Sequence, residues 1–190
     1  MLRIAVLASG SGSNAEKLYD FFSGHHLAEV KMLITNNTKA GVIDRFSGKK
    51  VNIHVFDPSQ DSEKMLEELV RGADIILLAG YLRKIPESWI RSFQGRMLNI
   101  HPALLPKFGG KGMYGKHVHK AVSISGEQET GITIHLVNEE YDQGAVVAQF
   151  AVEIEPGESP QSIEEKVRQL ELEYYGPTVE RWIENLSLSQ

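Results

Sequence analysis

Short apolar runs alternate with helical segments along the first half of the chain, and this alternation constrains the fold more than any other feature. Between the runs, the residue pattern predicts helices that begin at Asn14 and that span Ser62–Arg71. Strands that alternate with helices in this way indicate an open, doubly wound sheet that is mostly parallel. Leu2–Ala8 is a short, almost continuous apolar run, as expected of a strand buried on both faces. The further strand candidates are Val30–Ile34, Val51–Phe56, Ile75–Ala79 and Met97–Ile100.

The second half of the chain has a different pattern. Ile132–Leu136 alternates apolar and polar residues as a half-exposed strand does, and Ala145–Val152 is a second strand candidate after a polar stretch. These two strands can pair as a hairpin that extends the sheet antiparallel. Gly157–Pro160 then introduces a long helix with an apolar stripe at Ile163, Val167, Leu170 and Tyr174. We therefore predict an α/β protein, a single-domain Rossmann-like open sheet over residues 1–190 with helices on both faces.

Composition excludes several classes of protein. The net charge of -5 argues against a nucleic-acid partner, and the absence of cysteine excludes disulfides, thiolate metal sites and a cysteine nucleophile. No apolar run approaches the roughly 20 residues that cross a bilayer, and the N-terminus lacks the layout of a signal peptide. We therefore expect a cytoplasmic protein without a membrane partner.

A Gly/Ser-rich turn, Ser9–Asn14, joins the first strand to the first helix. Ligands of open α/β sheets bind beyond the carboxyl ends of the strands, and a helix N-terminus offers free N–H groups to an anion. Gly12, Ser13 and Asn14 are therefore candidates to hold a phosphate. The dinucleotide motif G-x-G-x-x-G is absent because position 15 is Ala15, so an ordinary tight turn stays the alternative.

Asn99 and His101 lie two residues apart at the end of a predicted central strand, so both side chains point to one face. Histidine titrates near neutrality, and an asparagine amide can donate a hydrogen bond to a developing oxyanion. Asp142, in the turn before Gly144, would orient His101 and raise its pKa if the two came close. A structural histidine and an ordinary turn aspartate remain the alternatives.

Four segments together resemble the folate-dependent formyltransferases. Ser9–Asn14 is similar to the phosphate loop of their glycinamide ribonucleotide branch, and Leu78–Arg83 is similar to their folate-site loop. Leu98–Pro106 is similar to their catalytic segment. Gly131–Val137, followed by Asp142–Gly144, is similar to the segment that carries their aspartate.

The resemblance implies a reaction. The formyl group of 10-formyltetrahydrofolate would pass directly to the amine of phosphoribosylglycinamide, a step of purine biosynthesis, without a metal and without a covalent enzyme intermediate. Asn99 would bind the formyl oxygen, and His101 would act as general acid or as charged partner. Asp142 would keep His101 protonated and order a water for proton transfer. The enzyme would be a monomer or a homodimer.

The resemblance also assigns binding residues. Glu171 is expected to bind the glycinamide substrate, whose phosphate would lie on Gly12, Ser13 and Asn14. Residues 1–100 would form the nucleotide-phosphate-binding half and residues 101–190 the folate and catalytic half. The residues expected to contact the folate, partly through the backbone, are Leu82, Arg83, Lys84 and Ile85.

Several residues depart from the family pattern or are expected to be bystanders. Residues 107–115 contain four glycines and predict a flexible lid, whose lysines would attract anionic substrates. His117 and His119 do not share a helix face and are not expected to bind a metal, although His119 could contact substrate. We expect His135 to be structural, Glu164 to lie on a solvated face, and Gly176 before Pro177 to loosen the last helix.

Three other functions are open. A methionyl-tRNA formyltransferase or another amine formyltransferase would share the catalytic segment, but the former is expected to carry a basic C-terminal domain. A formyltetrahydrofolate hydrolase would use a similar triad on water and is expected to carry an N-terminal regulatory domain. A nucleotide-binding sensor module is the non-catalytic alternative, and it would make the set Asn99, His101 and Asp142 a coincidence.

Overall fold

The computed structural model describes residues 1–188, which form seven strands and six helices around one sheet. The strands are β1 (Leu2–Leu7), β2 (Ala28–Thr35), β3 (Asn52–Val55), β4 (Ile75–Leu78), β5 (Met97–His101), β6 (Glu129–Leu136) and β7 (Val146–Glu153). The helices are α1 (Ser13–Phe21), α2 (Gly41–Phe46), α3 (Ser62–Gly72), α4 (Glu87–Ser92), α5 (Lys116–Ser125) and α6 (Pro160–Leu188). No helix among them combines the length and the apolar character that crossing a bilayer requires.

The sheet confirms the predicted mostly parallel arrangement with an antiparallel extension. Its strand order is β3-β2-β1-β4-β5-β6-β7. Strands β1 to β5 pair in parallel, whereas β6 pairs antiparallel with β5 and β7 antiparallel with β6. The chain runs outward from β1 to β3 and then returns to β4 on the other side of β1. The carboxyl ends of β1 and β4 therefore flank the point where the strand order reverses, where such folds bind ligands.

Alternate residues of the central strands belong to separate cores on the two faces of the sheet. Ile4 and Val6 of β1 pack in a core with residues of α1, α2, α5 and α6. Ala5 and Leu7 pack in a second core with residues of α3 and α4. Because both faces of the central strands β1 and β4 are covered, these strands are almost continuously apolar, which is why they were recognisable in the sequence.

The long last helix is continuous. Pro160 occupies the first helical position, where the missing N–H of proline has no intrahelical partner to lose. The predicted loosening at Gly176 does not occur, because the helix runs through Gly176 and Pro177 to Leu188. A Cβ at Gly176 would lie 2.8 Å from Cγ of Phe21, so glycine allows α6 to pack closely on α1.

Candidate active site

A cleft of about 610 Å³ lies at the carboxyl ends of the central strands. Its walls come from the loops after β1, β4 and β5, from the β6–β7 connection, from the α5 region and from α6. All the residues predicted from the sequence for phosphate, catalysis and folate line it, and so does Glu171. The structure thus brings segments from both halves of the chain into one cavity.

The loop after β1 presents the N-terminus of α1 to the cleft. Gly12 has φ 78° and precedes the helix, and a Cβ there would lie 2.2 Å from Cγ2 of Val42. Both the left-handed backbone and the close approach of α2 therefore require glycine. The N–H groups of the first helical turn have no intrahelical acceptor, so they are available to an anion in the cleft.

Ser9 ties this loop to its neighbours. Its hydroxyl donates to Oδ1 of Asn36 at 2.6 Å and accepts the backbone N–H of Leu82 at 3.0 Å. The loops after β1, β2 and β4 are thereby held in a fixed relation. The same contact occupies the N–H of Leu82, so that group is not free for a ligand.

Asn14 and Glu171 meet across the cleft from α1 and α6. Nδ2 of Asn14 donates to Oε2 of Glu171 at 2.9 Å, whereas Oδ1 of Asn14 is buried and has no hydrogen-bond partner among the described residues. One turn further along α6, the buried hydroxyl of Tyr175 donates to the carbonyl of Leu78 at 3.0 Å, which fixes this part of the helix on the end of β4.

Burial raises the pKa of Glu171 to about 7. The Asn14 hydrogen bond opposes this shift, the negative charge of Glu164 adds to it, and Arg168 lowers the pKa slightly. Glu164 and Arg168 also line the cleft, where Glu164 is partly buried and Arg168 is exposed. Arg168 lies one turn and Glu164 two turns before Glu171 on the same face of α6, a spacing that could have indicated their position once Glu171 was assigned to the site.

Asn99 and His101 lie on β5, and Asp142 lies in the β6–β7 connection with φ 56°. Nδ1 of His101 is 3.5 Å from Oδ2 of Asp142, and Nε2 of His101 donates to the carbonyl of Phe108 at 2.8 Å. The backbone N–H of Gly110 donates to the same Asp142 oxygen at 2.9 Å. The three predicted catalytic residues therefore converge at one end of the cleft.

The net pKa shift of His101 differs from the expectation that Asp142 would raise it. Burial lowers the pKa of His101, and His135 adds to that effect, whereas the Asp142 carboxylate and the Phe108 carbonyl act in the opposite direction. Asp142 thus favours protonated His101 as predicted, but the net shift is downward because His101 is only 3% exposed. Burial alone would raise the pKa of Asp142, but the His135 and His101 side chains and the Gly110 N–H lower it below 3.8.

Two other histidines border the cleft. His119 is 5% exposed and its Nδ1 has no partner among the described residues, whereas His117 is exposed, in line with the prediction that they face different directions. His135 is 3% exposed and its Nε2 lies 3.1 Å from Nδ2 of Asn99, in line with the expectation that it is structural, and it also lines the cleft. Among residues 1–188, no group of three or more His, Cys, Asp or Glu side chains is placed to hold a metal ion.

The residues expected to contact folate form the loop after β4. Arg83 and Lys84 are exposed at the cleft, and Leu82 exposes 49% of its surface there. Ile85 is 6% exposed and packs mainly in the core beneath α3 and α4. On the opposite rim, the Tyr141 ring centroid is 6.0 Å from Nζ of Lys84.

Comparison with known proteins identifies the family. The family model described as formyl transferase matches residues 2–179. The chain is 42% identical over 182 residues to a relative from Arabidopsis thaliana named phosphoribosylglycinamide formyltransferase, chloroplastic. The aligned region covers 91% of this chain but only 62% of that relative's length. It is 34% identical over 190 residues to a phosphoribosylglycinamide formyltransferase of Haemophilus influenzae, covering 96% of this chain and 87% of the relative.

A solved structure extends the comparison to three dimensions. The crystal structure of glycinamide ribonucleotide transformylase 1 from Geobacillus kaustophilus superposes with a TM-score of 0.87 at 37% sequence identity, covering 96% of this chain and 99% of that one. The predicted fold class and the predicted resemblance are therefore confirmed. The chain belongs to the formyl transferase family.

Proposed function

We propose that the protein transfers the formyl group of 10-formyltetrahydrofolate to the amine of phosphoribosylglycinamide in purine biosynthesis. One observation carries the proposal: Asn99, His101 and Asp142 converge in the cleft that also receives the N-terminus of α1. An anion-binding helix end and a polar catalytic group in one cavity suit a phosphorylated substrate with a reacting amine. The names of the relatives in plants and bacteria support the same reaction.

The substrate phosphate would lie on the first turn of α1. Gly12 allows close approach, and the backbone N–H groups of Ser13 and Asn14 would donate to the phosphate oxygens. The Asn14 side chain has a different task, because its amide nitrogen is bound to Glu171 and its free oxygen can only accept. Asn14 Oδ1 and the Glu171 carboxylate would therefore receive hydroxyl or amine donors of the glycinamide ribonucleotide.

The loop after β4 would bind the formyl donor. Leu82 offers an exposed apolar side chain and Arg83 and Lys84 offer positive charge, which fit an aromatic, carboxylate-bearing molecule. Bound 10-formyltetrahydrofolate would supply an activated formyl carbon. Leu82 cannot use its N–H for this purpose, since Ser9 accepts it.

The chain's own residues would stabilise the transfer as follows. As the amine forms its bond to the formyl carbon, the Asn99 amide would donate to the oxygen, on which negative charge develops. His101 would act as the charged partner, because its Nε2–H is already bound to Phe108 and only Nδ1 faces Asp142. Asp142 would hold that charge and order the water through which a proton moves from the attacking nitrogen to the departing nitrogen.

The test is the consumption of 10-formyltetrahydrofolate by the purified protein, followed by absorbance with and without the ribonucleotide. We expect loss of donor only when the ribonucleotide is present, abolished in His101→Ala and Asp142→Ala and retained in His26→Ala, a control on an exposed histidine outside the cleft. Consumption without the ribonucleotide would favour a hydrolase. No consumption by folded protein under either condition would favour a binding module.

The assembly state, the location and the division of the chain remain predictions. A monomer or homodimer in the cytoplasm is our proposal, although the Arabidopsis thaliana relative is named chloroplastic. We also retain one domain over residues 1–190, with phosphate binding in residues 1–100 and catalysis in residues 101–190. Leu82 and its neighbours, which would contact folate, lie in the first of these halves.

A further inference from the structure

His135 lies directly opposite Asn99 in the sheet. The two residues are cross-strand partners in the antiparallel pairing of β5 with β6. Nε2 of His135 is 3.1 Å from Nδ2 of Asn99, and His135 is 3% exposed. Cross-strand neighbours share one face of the sheet, so the imidazole lies beside the amide that we place on the formyl oxygen.

The other ring nitrogen determines which partner donates. Nδ1 of His135 lies 2.9 Å from the carbonyl oxygen of Leu136, which can only accept a hydrogen bond. Nδ1 therefore carries the hydrogen, and Nε2 of the neutral ring is an acceptor. An acceptor at Nε2 requires Asn99 to present its NH₂ group rather than its carbonyl oxygen.

We propose that His135 is a positioning residue that fixes the orientation of the Asn99 amide. One N–H of Asn99 is bound to His135, and the same nitrogen keeps a second N–H for a ligand in the cleft. Without His135 the amide could rotate by half a turn and direct its oxygen at the oxygen atom that it should stabilise. This inference rests on the proposed function, because it assigns a partner to a residue of that site.

Because Asp142 is a second acceptor near His135, it matters which ring nitrogen of His135 carries the hydrogen. Oδ1 of Asp142 is 3.7 Å from Nε2 of His135, near enough for a protonated His135 to lower the pKa of Asp142 but beyond hydrogen-bond distance, while Oδ2 of Asp142 lies near His101. If Nε2 carried the hydrogen, it would turn toward the Asp142 carboxylate and leave Asn99 without an acceptor. The Leu136 carbonyl prevents this because it accepts the hydrogen of Nδ1. Asp142 therefore remains the partner of His101.

The orientation can be measured in the wild-type protein without any variant. In ¹⁵N-labelled protein near neutral pH, we expect His135 Nε2 to resonate as an unprotonated nitrogen and Nδ1 as a protonated one. We also expect one side-chain N–H of Asn99 to be protected from exchange with solvent. A protonated Nε2 with an unprotonated Nδ1 would overturn the proposal, whether or not the protein transfers formyl groups.

Kinetics test whether the orientation matters. His135→Leu removes the acceptor, and we expect kcat to fall by about 10- to 100-fold, as for a misplaced oxyanion donor, with little change in KM for either substrate. His135→Gln keeps an acceptor near the Nε2 position and should recover much of the loss. In the Asn99→Ala background, His135→Leu should change kcat by less than about threefold, because Asn99→Ala has already removed the interaction that His135→Leu removes.

The outcomes separate the two proposals. If wild-type protein does not transfer the formyl group, the proposed function fails, and the nitrogen resonances still decide the orientation of Asn99. If wild-type protein is active but His135→Leu lowers kcat equally in both backgrounds, His135 does not act through Asn99 and this proposal is wrong. Should His135→Leu fail to fold, judged by its circular dichroism, His135→Gln and the resonances decide.

Discussion

At the scale of single residues, opposing effects act on the imidazole of His101, which we propose to be catalytic. Burial lowers the pKa of His101, while Asp142 and the Phe108 carbonyl raise it. Both ring nitrogens face acceptors, so only the doubly protonated ring has a hydrogen for each. A buried imidazole with a negative partner 3.5 Å away is poised to change its protonation when the charge in the cleft changes.

Asp142→Asn tests this balance. The substitution removes the charge that raises the pKa of His101, so we expect that pKa to fall further, measured by an NMR titration of the imidazole. The protonated fraction at pH 7 then decreases, and we expect kcat to fall by about 10²- to 10⁴-fold. Asp44→Asn, on an exposed residue outside the cleft, is the control. An unchanged or raised pKa of His101 would contradict the account.

Two residues of the candidate site have left-handed backbone conformations that non-glycine residues rarely adopt. Phe108, whose carbonyl binds His101, and Asp142 both have φ 56°. Each such residue costs on the order of 1–3 kcal/mol, and such strain clusters at functional sites. The Gly110 N–H bond to Asp142 joins the two strained segments, so each helps to hold the other.

Glu171 makes the stability of the fold depend on pH. Its folded pKa of about 7 lies above its ordinary value of 4.5, so the folded state keeps a proton that the unfolded chain loses. The stability from this group is complete below pH 4.5 and is lost as pH rises through 7. We expect Glu171→Gln to gain free energy of unfolding relative to wild type between pH 5 and pH 8, by about 1–3 kcal/mol.

Denaturant unfolding of both proteins across that pH range provides the measurement. The comparison with wild type cancels the other titrating groups. Glu165→Gln, on an exposed position of the same helix, should leave the pH dependence of wild type unchanged. A difference between wild type and Glu171→Gln that stays constant with pH would show that Glu171 is ionised in the folded protein.

Some site residues were recognisable from the sequence and others were not. Asn99, His101 and Asp142 combine reactive side chains with strand ends and turns, which is a local signal. The role of His135 depends on the register between β5 and β6, and a register is set by tertiary pairing rather than by residue type. The net pKa direction of His101 was missed because burial cannot be read from a motif.

At the scale of elements, the N-terminus of α1 depends on one glycine. Gly12 combines φ 78° with a close approach to Val42, so Gly12→Ala should cost about 2–4 kcal/mol. Gly10 has no positive φ and no neighbour within 4 Å of a Cβ, so Gly10→Ala is a matched control that should cost less than about 0.5 kcal/mol. Unfolding in denaturant measures both, and equal losses would refute the assigned difference.

The contact of α6 with α1 gives a second prediction. Alanine is favoured over glycine in a helix by about 1 kcal/mol, but a Cβ at Gly176 would lie 2.8 Å from Cγ of Phe21. We therefore expect Gly176→Ala to destabilise the protein by about 1–2 kcal/mol. In the Phe21→Ala background the same change should stabilise it, as a thermal-unfolding double-mutant cycle can determine. Stabilisation in both backgrounds would mean that the helices do not approach so closely.

Element boundaries show which signals the sequence carries. The long helix α6 was recognised by its apolar stripe, of which Ile163 and Val167 are fully buried. The six-residue helices α2 and α4 were not predicted, because one and a half turns are too short for a periodic pattern. The fit of Gly176 against Phe21 was read as a weakness of α6, since a close approach of two helices is a tertiary feature.

At the scale of the whole molecule, the parallel sheet was predictable and the composition of the cleft was only partly so. The alternation of strand and helix segments predicted that the first five strands run parallel, and the last two strand candidates could pair as an antiparallel hairpin. The reversal between β1 and β4 then places the loop after β1 beside the loop after β4. Glu164 and Arg168 share a helix face with Glu171, but whether that face borders the cleft depends on how α6 crosses the sheet, which no local pattern encodes.

The central claim is that one cleft transfers a formyl group between two bound molecules. The most direct measurement is a single turnover with a donor labelled with ¹³C in its formyl group, followed by mass spectrometry of the products. The account predicts that the label appears on the ribonucleotide in proportion to the donor consumed, and that it is absent with His101→Ala. Label recovered as formate, with the ribonucleotide unchanged, would contradict it.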